Sequence, residues 1–307
     1  VNSLPFAYDP EAPTPERWFQ FLHEVWPEDK QCRRTLAEIM GLLLTGDTKF
    51  QKAFMIVGPK RSGKGTIGQV MDELYGHDNV AHPGSSLLNT QFGMAPLIDK
   101  PVAIISDARV DKASSTALAE RLLSVSGEDQ QTIDVKYEKH WTGRLNTRFV
   151  LMSNELPRIN DASGALASRF VVLTMTESFL GREDLGLMGK LLTELPGILN
   201  WALNGLARLR TRGRFEMPQS SLEQIQVLED LSSPVKAFLR ERCVVGPTET
   251  VRVKSLYGAW RDWCEAEGHT ASSNIAFGRS LRGVVTGIAL QGMGQAKKYR
   301  GVGLKPE

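Results

Sequence analysis

The sequence predicts an α/β core preceded by a helical region and followed by a small domain with a basic edge. Three observations carry that prediction. Between residues 53 and 212, short apolar runs alternate with helix-length periodic segments, the pattern of strands joined by helices. One junction in that stretch is Gly58-Pro59-Lys60-Arg61-Ser62-Gly63-Lys64-Gly65-Thr66, a glycine-bounded turn between an apolar run and a helical one. From residue 232 onward, two aromatic-bearing helical stretches precede a strand-like return carrying Lys297, Lys298, Tyr299 and Arg300.

The elements follow in order. The opening is Pro-rich, and residues 15–45 are expected to be helical, with Trp18, Phe21, Leu22 and Val25 on one face and Leu36, Ile39, Met40 and Leu43 repeating the period. Residues 1–46 therefore form a helical N-terminal region, closed by Gly46-Asp-Thr48. The core, 47–212, holds buried strands at 53–57, 102–106, 149–153 and 170–173. Helices are expected at 64–74, ended by Gly76, at 114–125, and at 185–210 with a pause at Pro196-Gly197. The polar stretch 213–231, containing Pro218, is expected to be a linker. Residues 232–307 then fit a winged helix, with helices and a basic hairpin.

Composition bounds the partners. The chain has 307 residues, 41% of them hydrophobic and 23% charged, as in an ordinary globular protein. No apolar run is long enough for a bilayer, and no secretory signal opens the chain. The three cysteines, Cys32, Cys243 and Cys264, are too few and too scattered for a disulfide framework, which suits a reducing cytoplasm. A net charge of +2 means that any basic surface is local. The first residue is Val rather than Met, which fits either a chain trimmed upstream or a GTG start codon.

The glycine-bounded turn has the chemistry of a phosphate loop. Gly58 and Gly63 let the backbone curl so that N–H groups meet phosphate oxygens, Lys64 adds charge, and the following helix adds its dipole. ATP is the expected ligand, held by residues 58–66, with Mg²⁺ as its companion. The hydroxyl residue that commonly follows the lysine is replaced by Gly65, so Thr66 takes the magnesium role. Asp107, at the end of the second buried strand, is the second candidate for the metal. Ala108 stands where a second acid often follows, and Glu120 is a candidate for orienting water. Asn154 ends the third strand, where a neutral amide can reach a γ-phosphate. Arg169, just before the fourth strand, is a candidate arginine finger, with Arg158 competing. Lys64, Asp107, Asn154 and Arg169 are thus the candidate catalytic set.

Two further segments point to nucleic acid. Residues 132–141 alternate like a hairpin, with Lys136 and His140 placed for phosphates and Tyr137 or Trp141 for stacking. The competing reading is a hairpin whose aromatic residues are buried. In the tail, Arg279 and Arg282 sit on the second helix, and Lys297 and Lys298 on the strand-like return. A protein-interaction module is the alternative there.

Taken together these residues resemble the C-terminal helicase part of phage and plasmid primase-helicases, of helicase superfamily three. The resemblance runs from Phe6 onward. It is most specific in Leu145-Asn-Thr-Arg-Phe-Val-Leu-Met-Ser-Asn-Glu-Leu-Pro-Arg-Ile-Asn-Asp-Ala-Ser-Gly-Ala-Leu-Ala-Ser-Arg-Phe170, in Ile105-Ser-Asp-Ala-Arg109 and in Pro196-Gly-Ile-Leu-Asn-Trp201. It implies an AAA+-like core, a ring of six subunits, and ATP-driven translocation on single-stranded and forked DNA. It makes Lys64 and Thr66 nucleotide ligands, Asp107 the magnesium acid, Asn154 the sensor, Arg169 the finger, and the hairpin around Lys136 the DNA grip. A primase domain or protein is the implied partner. Gly65 and Ala108 depart from the common pattern. Two other readings stay open: an ATP-switched replication initiator that binds DNA without unwinding it, and a phosphate-loop kinase of small molecules.

Overall fold

The computed structural model describes residues 3–84, 88, 90–106, 112–157, 159, 165–292 and 296–306. It forms two compact units, one of residues 1–159 and 168–225, the other of 160–167 and 226–307.

The first unit opens with helices α1 (Glu16–Val25) and α2 (Lys30–Leu43). Pro27, between them, has no N–H to continue a helix, which divides the single periodic stretch seen in the sequence. There follow β1 (Ala53–Val57), α3 (Lys64–Tyr75), β2 (Val80–Ala81), β3 (Val102–Ile105), α4 (Lys112–Ser126), β4 (Gln131–Ile133), β5 (Trp141–Gly143), β6 (Arg148–Ser153), α5 (Ala165–Arg169), β7 (Phe170–Thr174), α6 (Leu187–Thr193), α7 (Leu195–Arg212) and α8 (Gln219–Ser232), of which residues 165–167 of α5 and 226–232 of α8 fall in the second unit. Five strands make a parallel sheet in the order β2-β3-β6-β1-β7. Every residue of β1, β3 and β6 is buried, which is why these strands appear in the sequence as unbroken apolar runs. Trp18, Phe21, Leu22 and Val25 of α1 and Leu36, Ile39, Met40 and Leu43 of α2 join Phe54, Ile56, Val150 and Met152 in one core cluster.

The break in the long C-terminal helix of this unit falls at Glu194, not at Pro196-Gly197. Pro196 lies in the first turn of α7, where a missing N–H is no loss. Glu194 has a task of its own. Its carboxylate accepts the backbone N–H groups of Arg17 and Trp18, at 3.0 and 2.9 Å, and so caps α1, whose own cap position is Pro15. The polar stretch expected as a linker contains helix α8, opened rather than broken by Pro218. Ser221 anchors it, accepting a hydrogen bond from the backbone N–H of Val172 at 3.1 Å.

The second unit continues with α9 (Pro234–Arg242), β8 (Cys243–Arg252), α10 (Val253–Ala266), α11 (Asn274–Val284), β9 (Ala289–Gln291) and β10 (Lys298–Leu304). Its antiparallel sheet runs β8-β10-β9. Phe238, Trp260, Trp263 and Phe277 pack ring on ring at its centre, with centroids 5.1–6.1 Å apart. Gly278 is required there, since a Cβ would lie 2.6 Å from the Tyr299 hydroxyl. Among the described residues, no helix is long and apolar enough to cross a membrane.

Helices α2 and α7 cross closely because two glycines meet the opposite backbone. A Cβ on Gly41 would stand 2.2 Å from the carbonyl oxygen of Ala202, and one on Gly205 would stand 2.4 Å from that of Ala37. Backbone cannot yield as a flexible side chain can. Gly41→Ala and Gly205→Ala should each destabilise the chain by about 1–3 kcal/mol, seen as a lower urea midpoint. Gly189→Ala in α6, with nothing within 4 Å of its Cβ, should be neutral or stabilising in the same measurement.

Candidate functional site

The loop after β1 leaves the sheet at its carboxyl edge, where ligands of parallel sheets gather. Gly58 donates its N–H to the carbonyl of Ser153 at 3.2 Å, and Met175 donates to that of Val57 at 2.7 Å, so β6 and β7 flank the exit. A Cβ on Gly58 would fall 2.6 Å from that of Met175. The backbone then turns left-handed at Arg61 (φ 59°) and at Gly63 (φ 97°). Gly63 is the N-cap of α3 and offers no side chain, so the first N–H groups of α3, which lack intrahelical partners as at every helix start, are left uncapped. The turn packs tightly on α1, because a Cβ at Gly63 would come within 3.0 Å of the Phe21 ring. The chain beyond β7 braces the loop from outside: Phe179 donates its N–H to the carbonyl of Arg61 and Ser178 donates its hydroxyl to that of Lys60, both at 2.9 Å.

Lys64 folds back into this loop. Its ammonium donates to the carbonyls of Gly58 and Pro59, at 2.6 and 2.8 Å, and to Ser62 Oγ at 3.1 Å. Burial pushes its pKa below the ordinary lysine value. Among the described residues no carboxylate pairs with it. A half-buried cation held only by neutral acceptors favours an incoming anion. With the unpartnered N–H groups of α3, these residues fit a nucleotide's phosphates.

The loop floors a cleft of about 630 Å³. Thr66, in the first turn of α3, lines it, as does Asn154, exposed one residue beyond β6. Gly65 has open space around its Cβ position, so its lack of a side chain meets no steric demand. The other walls were not legible as site residues. Arg17 and Phe21 reach the cleft from α1, and Phe179, Arg182 and Met188 reach it from the segment after β7. Arg17 lies 3.4 Å from Glu24 and 3.7 Å from Asp184, which ties the two walls together. In the sequence, α1 shows only the periodicity of a core helix.

The remaining expected residues divide. Asp107 and Arg158 lie outside the described residues. The strand that leads to Asp107, β3, is separated from β1 by β6. Glu120 is exposed on α4 and does not line the cleft. Arg169 stands at the opposite edge of the sheet from the loop. Phe170 pairs with Ala53 and Thr174 with Val57, so the length of β7, about 16 Å, separates Arg169 from Gly58. Its guanidinium donates to Gln51 Oε1 at 2.9 Å and to the Ser126 carbonyl at 3.2 Å.

Strands β4 and β5 form the hairpin, pairing Gln131 with Gly143 and Ile133 with Trp141. Its tip is in solvent. Tyr137 is 93% exposed, which removes the buried reading for that ring. Lys136 sits 4.9 Å above it. Trp141, half-buried, folds over Gly143. His140 Nδ1 lies 2.5 Å from Asp134, whose carboxyl is held below the usual range first by a hydrogen bond from Gln91 and then by His140. In the second unit, Arg279 and Arg282 are exposed on α11, and Lys297 and Lys298 are exposed where β10 begins.

Comparison with known proteins adds two segment matches. Residues 56–169 match a family of unknown function, DUF5906, and residues 232–287 match a family described as poxvirus D5 protein-like. The fold as a whole is shared with apo structures of the C-terminal region of NrS-1. One superposes with a TM-score of 0.63 at 13% identity, covering 96% of this chain and 77% of that one. Another gives 0.60 at 14%, covering 96% and 78%. The first segment match spans the loop, β3 and Asn154, and the second contains α10 and α11.

Replacing Gly63 tests the loop's geometry without any ligand. Gly63→Ala places a Cβ in a left-handed backbone and against Phe21. It should lower stability by about 1–3 kcal/mol in urea unfolding. Gly65→Ala, in open space, should be neutral or stabilising.

Proposed function

We propose that this chain is an ATP-hydrolysing DNA helicase of a phage, prophage or plasmid, with an AAA+-like core of the superfamily three type. One observation carries the reading: the ammonium of Lys64, uncompensated by any described carboxylate, lies in a glycine-turned loop at the floor of the cleft. The poxvirus D5-like segment and the fold shared with the NrS-1 region support it. Replicative proteins of viral type are the class that this likeness favours.

Lys64 and the N–H groups of residues 60–66 would hold the β- and γ-phosphates, and Phe21 and Met188 would border the base. A divalent cation held by Thr66 and Asp107 would neutralise charge on the phosphate oxygens. Asn154, at the end of the strand adjoining the loop strand, would place the attacking water without adding negative charge. Arg169 is about 16 Å from its own loop. A finger role for it therefore requires a second copy of the chain, which favours a ring, and we take six subunits as its size. The exposed hairpin tip, with Lys136, Tyr137 and His140, would grip single-stranded DNA in the channel of that ring. The second unit, helix-strand-helix-helix-strand-strand, suits a winged helix that lays α11 with Arg279 and Arg282 against duplex DNA, with Lys297 and Lys298 on the wing. A primase domain or protein would work beside it.

ATPase assays with and without single-stranded DNA test the reading directly. Lys64→Ala should reduce turnover at least about a hundredfold, the scale of losing a charge that stabilises the transition state. Near-normal turnover would defeat the assignment. Arg169→Ala alone should bind ATP yet stay inactive. Mixed with Lys64→Ala, it should regain part of the activity, because some interfaces then pair an intact loop with an intact arginine. No recovery in rings shown to mix would exclude action in trans. Lys136→Ala should keep basal ATPase while DNA stimulation and unwinding of a forked duplex fall together; unwinding at the normal rate would remove the hairpin from the motor.

A further inference from the structure

Away from the loop cleft, α1, α2 and α7 enclose a second, open cavity of about 230 Å³. Its cations are Lys30, Arg33 and Arg34 of α2 and Arg208 of α7; Phe19 and Trp201 form its aromatic wall. No carboxylate lines it. None of the four cations forms an ion pair among the described residues. Arg33 is turned inward, donating to the carbonyls of Trp26 and Pro27 and facing His23. Asp29, next to Lys30 in the chain, accepts from Cys32 and Ser220, and Glu38 pairs with Arg212 at 2.6 Å while also attracting Arg208. Arg208 Nε is buried and has no hydrogen-bond partner. Phe19 and Trp201 meet edge to face at 6.3 Å, and both residues are half-buried.

Like charges this close repel unless an anion joins them, and an aromatic wall beside them offers a face for a flat ring. Cationic grooves interleaved with aromatic rings are how sequence-tolerant single-strand sites are built. The cavity is smaller than the roughly 300–1,000 Å³ of a drug-sized ligand site. It suits one base and its phosphate.

We propose that this cavity binds a phosphate–base unit of single-stranded nucleic acid. Lys30 and Arg34, exposed at its rim, take the phosphate, and Trp201 stacks the base. The site shares no lining residue with the loop cleft, and it does not depend on ATP hydrolysis. It would give a strand a hold on the face formed by the first two helices and α7.

The test uses the full chain and an oligothymidylate carrying one 5-bromouracil. Irradiation should crosslink the base to the peptide containing Trp201, in the wild type and equally in Lys64→Ala. The double variant Lys30→Gln/Arg34→Gln changes only exposed side chains, so it should fold and keep basal ATPase. It should lose the crosslink, bind the strand about tenfold more weakly at low salt, and show a salt dependence of log affinity shallower by about 0.7, the share of one phosphate. Thymidine monophosphate tells the sources apart. A crosslink that survives millimolar mononucleotide assigns the site to a strand; displacement at that concentration assigns it to free nucleotide and overturns the strand proposal. No crosslink at Trp201, an unchanged salt slope in the double variant, or equal competition by poly-glutamate would also overturn it.

Discussion

The structure depends on a left-handed turn at Gly63 held tight against α1. That turn starts α3 without a side-chain cap and leaves its first N–H groups open. The Phe21 ring on one side and the hydrogen bonds from Ser178 and Phe179 on the other keep the loop from relaxing. Lys64 is thereby confined among carbonyls and a hydroxyl, at the cost of part of its hydration. A geometry that favours an anion is thus stored in the fold before any ligand arrives. The N-terminal helices are part of that store. Glu194 caps α1, and α1 supplies the ring that closes the turn.

The parallel sheet sorts the candidate residues by edge. Loop, Thr66 and Asn154 gather where the strands end; Arg169 sits where β7 begins, beside Lys52, whose pKa is lowered by burial and by that arginine. One chain cannot bring both edges to one phosphate. In the proposed assembly the edge bearing Arg169 faces a neighbour's cleft, and each site is completed by two copies. The hairpin of β4 and β5 is inserted between α4 and β6. It joins the amino end of β6, at the edge of the sheet opposite Asn154.

Much of the first unit was legible because its signals are periodic or compositional. The fully buried strands β1, β3 and β6 stand out as apolar runs, and the turn after β1 as glycines around a lysine. The hairpin was legible from alternation, but whether Tyr137 was buried was not, since an aromatic residue at a turn fits both outcomes. Pro196 misled because proline breaks a helix interior and is tolerated in a first turn; its position relative to Glu194 decides between them. The stretch 213–231 looked like a linker because α8 is polar on most of its surface, and the contact through Ser221 is a tertiary fact. Arg17 and Phe21 were invisible as site residues for the same reason: α1 packs as a core helix, and its second role arises only where it meets the loop.

The most direct measurement is a crystal structure of the chain with Mg²⁺ and a non-hydrolysable ATP analogue. In that structure Lys64 Nζ should leave the carbonyls of Gly58 and Pro59 for the β- and γ-phosphate oxygens. N–H groups of residues 60–66 should close on the same phosphates, and the base should lie beside Phe21. A nucleotide bound elsewhere, or one bound here while Lys64 keeps its contacts within the loop, would contradict the ATPase reading.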